Sequence, residues 1–232
     1  MATEEQEQPP PTLYHVPRTI SSPIYQLLLE LHAVDCPVRV ETLSFADLKT
    51  KEHLQRNPMG TSPTYCDGPL KIWESGAVLQ YLLEQHDPFN KYHPARRTPK
   101  RAVYLHIQQY ILATVYPFVA TLYLHTLRPK DQQDAEYVKS ATHKWKTLLA
   151  PTLESFVEGP FFLGRLVMAI DFLVAKPLTN AESMGLLREF PKLYKIYQCI
   201  ESLPSYSVAY RAPPSVADCA ECRSLLLLPN KD

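Results

Sequence analysis

Two adjacent polar residues, Glu74 and Ser75, stand where a helical pattern begins after a short apolar run. The free N–H groups and the dipole at a helix N-terminus favour a carboxylate, and the Ser75 hydroxyl would add a donor. The Glu74 carboxylate could accept hydrogen bonds from an ammonium group. The pair could therefore bind the α-amino and α-carboxyl groups of an amino acid, although both residues could also serve only to cap the helix.

A second group of polar residues, Thr19, Ser21 and Ser22, lies in a turn that ends at Pro23. A hydroxyl followed by proline is typical of a helix start, because the hydroxyl caps the helix and proline tolerates the first turn. A hydroxyl at this place can also stabilise an anion by donating a hydrogen bond. Capping and anion stabilisation are both open readings of Ser21 and Ser22.

These residues must be positioned by a first half that alternates strands and helices. Hydrophobic periodicity predicts strands over 13–16 and 38–43, helices over 24–33, 46–56 and from 75 onward, and a hairpin over 63–73. The sequence after residue 98 has almost no strand character, and Pro117 should bend its first long helix. We expect a disordered tail over 1–11, an α/β domain over 12–86, a linker over 87–98, an all-helical domain over 99–210 and an extension over 211–232.

Composition excludes several classes of function. The 232 residues contain 24 Lys and Arg and 24 Asp and Glu, so no excess charge attracts the chain to nucleic acid. With 22 prolines and 6 glycines there is no glycine-rich phosphate loop, and no apolar run is long enough for a membrane helix. The polar N-terminus and five scattered cysteines, among them an isolated Cys219–Cys222 pair, favour a reduced cytoplasmic protein without a metal.

Two motifs, NPMGTSPT at residues 57–64 and ESGAVLQYL at residues 74–82, resemble the glutathione transferase superfamily. Residues 164–178 and 190–206 are similar to later elements of that family, so the resemblance covers roughly residues 12–210. It is closest to bacterial and fungal members with a serine early in the first helix. It implies a thioredoxin-like α/β domain followed by an all-α helical bundle, which is the glutathione transferase fold.

The resemblance also implies a glutathione site. Ser62 and Pro63 would be joined by a cis peptide bond, which exposes the Ser62 backbone to the cysteinyl part of glutathione. Glu74 and Ser75 would hold the γ-glutamyl end, and Lys49 would pair with the glycyl carboxylate. An ordinary trans proline and a solvated lysine are the alternatives. Thr61 stands where the family often has a second basic residue.

One hydroxyl at the start of the first helix is sufficient in magnitude to activate the glutathione thiol. A thiol with a pKa near 8.5 is only about 3% ionised at pH 7, and lowering that pKa by about two units takes about 2.7 kcal/mol. A charged hydrogen bond supplies about 1.5–3 kcal/mol. Comparison with the serine-type classes predicts Ser21 as the catalytic residue, with Ser22, Thr19 and Tyr14 as alternatives.

The electrophile should bind between this turn and the helix bent at Pro117. Tyr110, Tyr116 and Phe118 are predicted to line that pocket, or else to pack between the domains. We expect glutathione as co-substrate and conjugation to small hydrophobic electrophiles or reduction of organic peroxides. A non-catalytic binding or scaffold protein with this fold is the alternative. The family also implies a homodimer.

Met168 departs from the family pattern, which has a capping Ser or Thr three residues before the aspartate at Asp171. A methionine side chain cannot cap the helix, so about 1 kcal/mol of capping should be missing. The sequence alone predicts that Met168→Thr raises stability.

Overall fold

The computed structural model describes residues 9–32 and 36–211. The expectations for Cys219, Cys222 and most of the two terminal segments lie outside the described residues. A four-stranded sheet has the order β2-β1-β3-β4. Strand β1 is parallel to β2 and antiparallel to β3, which pairs with β4 in the predicted hairpin. The strands are Thr12–His15 (β1), Arg39–Thr42 (β2), Thr64–Asp67 (β3) and Leu70–Trp73 (β4).

Helices α1 (Ser21–His32), α2 (Lys51–Arg56) and α3 (Ser75–His86) complete the first domain. Helix α1 buries Leu27, Leu28 and Leu31 fully, as their helical spacing predicts. The mixed sheet with its helices is a thioredoxin-like arrangement, which confirms the predicted α/β fold class of the first half.

The second half is mostly helical, as predicted. Its helices are Pro99–Tyr110 (α4), Tyr116–Thr126 (α5), Ala135–Lys144 (α6), Ala150–Ser155 (α7), Ala169–Ser183 (α8), Pro191–Glu201 (α9) and Pro204–Tyr210 (α10). Helix α1 packs on α8 and α10, which joins the two halves in one core. No helix in the described part of the chain is long and apolar enough to cross a membrane.

Two π-helical turns interrupt the helices immediately before a proline. The turn Ile111–Val115 leads into Pro117, and the turn Trp145–Leu149 leads into Pro151. Proline has no N–H, so the carbonyl four residues before it cannot be paired in an α-helix. At the first turn the Tyr116 N–H bonds the Ile111 carbonyl, five residues back, which is the π-helical pattern. A π-helical turn therefore lies just before Pro117, where the sequence predicts a bend.

Helix α8 begins at the core of the helical domain. The Asp171 carboxylate accepts hydrogen bonds from the N–H groups of Met168, at 2.7 Å, and Phe162, at 3.0 Å. Burial raises the pKa of Asp171 to about 7, against the effect of these two donors. The Met168 side chain makes no capping hydrogen bond, but it is only 8% exposed and packs in the core. Its loss would therefore remove buried apolar contacts.

Candidate functional site

A cleft of about 920 Å³ lies between the first domain and the helical stretch α4–α5. The wall from the first domain carries most of the polar residues singled out in the sequence, namely Thr19, Lys49, Ser62, Glu74 and Ser75. The opposite wall is largely apolar and includes Leu112, Ala113, Tyr116 and Pro117. The fold therefore brings residues from distant parts of the chain to one polar surface.

Lys49 lies at one end of the polar wall. Its Nζ donates a hydrogen bond to the Gly60 carbonyl oxygen at 2.9 Å. Gly60 has φ +58°, and a Cβ there would lie 2.9 Å from the Leu48 carbonyl oxygen, so the close approach requires glycine. An ammonium group has three donors, so two N–H bonds of Lys49 are left for a ligand.

Ser62 and Pro63 are joined by a cis peptide bond. The loop before them is held by its own hydrogen bonds, since the Thr61 carbonyl accepts from the Asn57 side-chain amide at 3.0 Å. Within residues 9–32 and 36–211 the Ser62 backbone N–H and C=O form no hydrogen bond. A peptide lying along this edge could pair with both groups.

Glu74 precedes α3 with φ +75° and ψ +117°, a conformation that L-residues rarely adopt. Its side chain is exposed at the cleft and makes no capping hydrogen bond, so capping does not explain the glutamate. Ser75 follows as the first residue of α3 and is 7% exposed. Here a carboxylate, a hydroxyl and the positive end of a helix share one corner of the cleft.

The predicted catalytic residues lie at different depths below the surface of the cleft. Thr19 lines the cleft, and its Oγ1 lies 3.2 Å from Ser62 Oγ and 2.8 Å from Ser21 Oγ. Ser21 is fully buried directly behind it, and Ser22 is also fully buried. Tyr14 lies away from the cleft under the Arg56 guanidinium, 4.4 Å from the ring centre, and burial raises the pKa of its phenol.

Of the three aromatic residues predicted for the electrophile pocket, the structure brings Tyr116 to the cleft. Tyr110 instead donates to the Leu149 carbonyl at 3.2 Å, and Phe118 lies 5.4 Å from Lys144 Nζ. Gln109, Leu112 and Ala113 were not predicted, yet with Tyr116 they follow the i, i+3, i+4, i+7 spacing of one helix face. Spacing from Tyr116 could have identified them, whereas aromatic character could not.

Comparison with known proteins agrees with this geometry. Residues 9–84 match the family described as Glutathione S-transferase, N-terminal domain. Over 148 residues the chain is 24% identical to glutathione S-transferase D6 of Drosophila melanogaster, a match that covers 61% of this chain and 64% of that protein.

Solved structures show the same fold. A glutathione transferase family member from Pseudomonas fluorescens with two glutathione bound has a TM-score of 0.76 at 18% identity, covering 91% of this chain and 96% of the other. Glutathione transferase URE2P6 from Phanerochaete chrysosporium, in complex with oxidised glutathione, has a TM-score of 0.73 at 19% identity, covering 93% and 97%. The chain has the glutathione transferase fold.

Proposed function

We propose that the chain is a glutathione transferase that binds glutathione in the cleft and uses it on small hydrophobic electrophiles or organic peroxides. The observation that carries the proposal is the polar wall. There Lys49, the Ser62 backbone, which is unpaired among the described residues, and the Glu74–Ser75 corner face one space. The matched family over residues 9–84 and the glutathione-bound structural neighbours support it.

The charges of this wall fit those of glutathione, which has two carboxylates and one ammonium group. Lys49 would take the glycyl carboxylate with its two remaining N–H bonds. Ser75 and the N-terminus of α3 would take the α-carboxylate, while Glu74 would accept from the ammonium. The backbone beside Pro63 would pair with the cysteinyl residue. Each charged group of the tripeptide thus has an opposite partner.

Bound glutathione supplies a thiolate that can displace a halide to form a thioether. It can also reduce an organic peroxide to an alcohol, with glutathione and a second glutathione oxidised to the disulfide. The chain's contribution is to donate a hydrogen bond to the sulfur. We assign this role to Thr19, because its hydroxyl reaches the cleft, whereas the Ser21 hydroxyl lies one hydrogen bond behind it. Thr19 is one of the alternatives to Ser21 that the sequence offers. We therefore test Thr19 first, with Ser21 as the comparison.

The opposite wall supports an apolar second substrate. Leu112, Ala113, Tyr116 and Pro117 offer carbon surface to the cleft, with Gln109 as the polar residue among them. We also propose that the chain is a cytoplasmic homodimer, which the family resemblance supports. Sedimentation of the purified chain tests the dimer.

The test combines binding with turnover. We expect retention on immobilised glutathione and conjugation of a chromogenic aryl halide. Thr19→Ala should lower kcat more than tenfold while Thr19→Ser keeps most activity, and Ser22→Ala is the matched control. Binding without turnover of halides or hydroperoxides would instead favour the scaffold alternative. Full activity in Thr19→Ala with loss in Ser21→Ala would return the catalytic role to Ser21.

A further inference from the structure

A buried histidine, His15, lies behind the hydroxyl pair at the end of β1. Its side chain is almost fully buried, at 1% exposure, and its ring centre lies 5.0 Å from that of Tyr25. The ring Nδ1 is 2.8 Å from Ser21 Oγ, and Ser21 Oγ is 2.8 Å from Thr19 Oγ1. A continuous row of hydrogen-bonding groups therefore runs from the core to the cleft.

The single hydrogen of each hydroxyl limits how this row can be arranged. Ser21 Oγ accepts from the Val16 N–H at 3.1 Å, and its own hydrogen can go to the Val16 carbonyl at 2.9 Å, to Thr19 or to His15. Thr19 Oγ1 can likewise donate to the Val16 carbonyl at 2.8 Å. Because Thr19 has a single hydroxyl hydrogen, it can donate to an anion in the cleft only if it gives up its hydrogen bond to the Val16 carbonyl.

Thr19 gives up this hydrogen bond most easily when its own oxygen accepts a hydrogen bond from the Ser21 hydroxyl. Ser21 can give that hydrogen to Thr19 only if Ser21 does not donate to the ring, so His15 Nδ1 must carry the ring hydrogen. The hydrogen bonds then all point from the core to the cleft. Each donor also polarises the next, which strengthens the last one.

The buried environment argues against a role of His15 as a base. Burial lowers the pKa of His15 to about 4, so the ring is neutral near pH 7 and a poor proton acceptor. Within the described residues Nε2 has no hydrogen-bond partner of acceptable geometry. The backbone of Ala209 nevertheless acts to raise the pKa of the ring. A hydrogen on Nε2 directed toward Ala209 would make Nδ1 an acceptor and reverse the direction of the hydrogen bonds.

We propose that His15 is a positioning residue whose Nδ1–H orders Ser21 and thereby aims the Thr19 hydroxyl hydrogen at an anion in the cleft. The inference rests on the proposed function only for the identity of that anion, the glutathione thiolate. The direction of the hydrogen bonds is a property of the chain itself and can be measured without glutathione.

The first experiment is nitrogen-15 NMR of the histidine side chains, in which the His15 ring is assigned by through-bond correlation to the backbone of residue 15. We expect His15 to be neutral from pH 7 to about pH 5 with its hydrogen on Nδ1. A hydrogen on Nε2, with Nδ1 accepting from Ser21, would overturn the proposal whether or not glutathione binds. The measurement on the unmodified chain also decides the question if the His15 variants do not fold.

The second experiment titrates the thiol of bound glutathione by its thiolate absorbance. His15→Phe keeps a ring beside Tyr25 but removes the donor, so the thiol pKa should rise by about one pH unit while glutathione affinity stays within about twofold. His15→Asn can donate from a similar position and should restore the titration. An unchanged thiol pKa in a folded His15→Phe variant would overturn the inference and leave the proposed function intact. Absence of glutathione binding in the unmodified chain would instead refute the proposed function.

Discussion

The backbone of Glu74 is strained, and its side chain does not stabilise the fold. A non-glycine residue with φ +75° and ψ +117° costs about 1–3 kcal/mol. The exposed side chain makes no hydrogen bond within the described residues that would offset this cost. Glycine adopts such angles readily but loses about 0.5–1 kcal/mol of chain entropy on folding. We expect Glu74→Gly to stabilise the chain by about 1 kcal/mol, which raises Tm by about 2–4 °C.

The same substitution should weaken glutathione binding. A hydrogen bond between a carboxylate and an ammonium group contributes about 1.5–3 kcal/mol, which corresponds to about 10- to 150-fold in Kd. Glu74→Gln is the matched control, because it keeps the side-chain size and the backbone strain but removes the charge. Its stability should stay within about 0.5 kcal/mol of the unmodified chain, and its affinity should fall as well.

Both quantities can be measured on the same preparations. Urea unfolding gives the free energy of unfolding, and isothermal titration calorimetry gives Kd for glutathione. Lower stability of Glu74→Gly would refute the strain argument. Unchanged affinity in Glu74→Gln would refute the assignment of Glu74 to the ammonium group. The expected result, a more stable protein that binds less tightly, would show that the strained glutamate is retained for binding.

Three further substitutions test other parts of the structure. Because the pKa of buried His15 is about 4 rather than 6.5, its contribution to stability is complete above pH 6.5 and falls by about 3 kcal/mol as the pH drops to 4. In urea unfolding at pH 7 and pH 4.5, His15→Phe should therefore lose less stability on acidification than the unmodified chain, and an equal loss would contradict the burial argument. Gly60→Ala should lose about 1 kcal/mol more in urea unfolding than Gly185→Ala, since both have positive φ but only Gly60 meets a backbone oxygen; equal losses would count against the clash. Met168→Thr should lower Tm, because losing buried methionine contacts costs about 2 kcal/mol and a new cap returns about 1, and a higher Tm would favour the capping argument.

Local sequence patterns predict most of the fold because they act through short-range physics. The Asp67–Gly68–Pro69 turn between two short apolar runs predicts the β3–β4 hairpin, and Gly68 has φ +54° there. Met168 shows the limit of local reasoning. The absence of a cap is visible in the sequence, but its packing in the core depends on distant residues and reverses the expected sign of the substitution.

The sequence predicts only part of the helical wall of the cleft, because aromatic character and position on the helix indicate different lining residues. Tyr110 is six residues before Tyr116 and Phe118 is two residues after it, so in a helix neither shares its face. Gln109, Leu112 and Ala113 do share it and line the cleft. Aromatic character therefore selects Tyr110 and Phe118, whose side chains do not line the cleft. Helical spacing from Tyr116 identifies the residues that do.

The choice among the hydroxyls depends on the conformation of a single turn. Arg18 has φ +62°, an unusual conformation for an arginine that no local residue preference indicates. After this residue, Thr19 lies at the cleft, and Ser21, at the start of α1, turns its side chain back toward the end of β1. Counting residues from the helix aligns Ser21 with the serine of related sequences but cannot show this rotation. The Thr19 hydroxyl can touch a ligand in the cleft, whereas the Ser21 hydroxyl lies deeper and can act only through Thr19. For this reason Thr19 should be tested before Ser21.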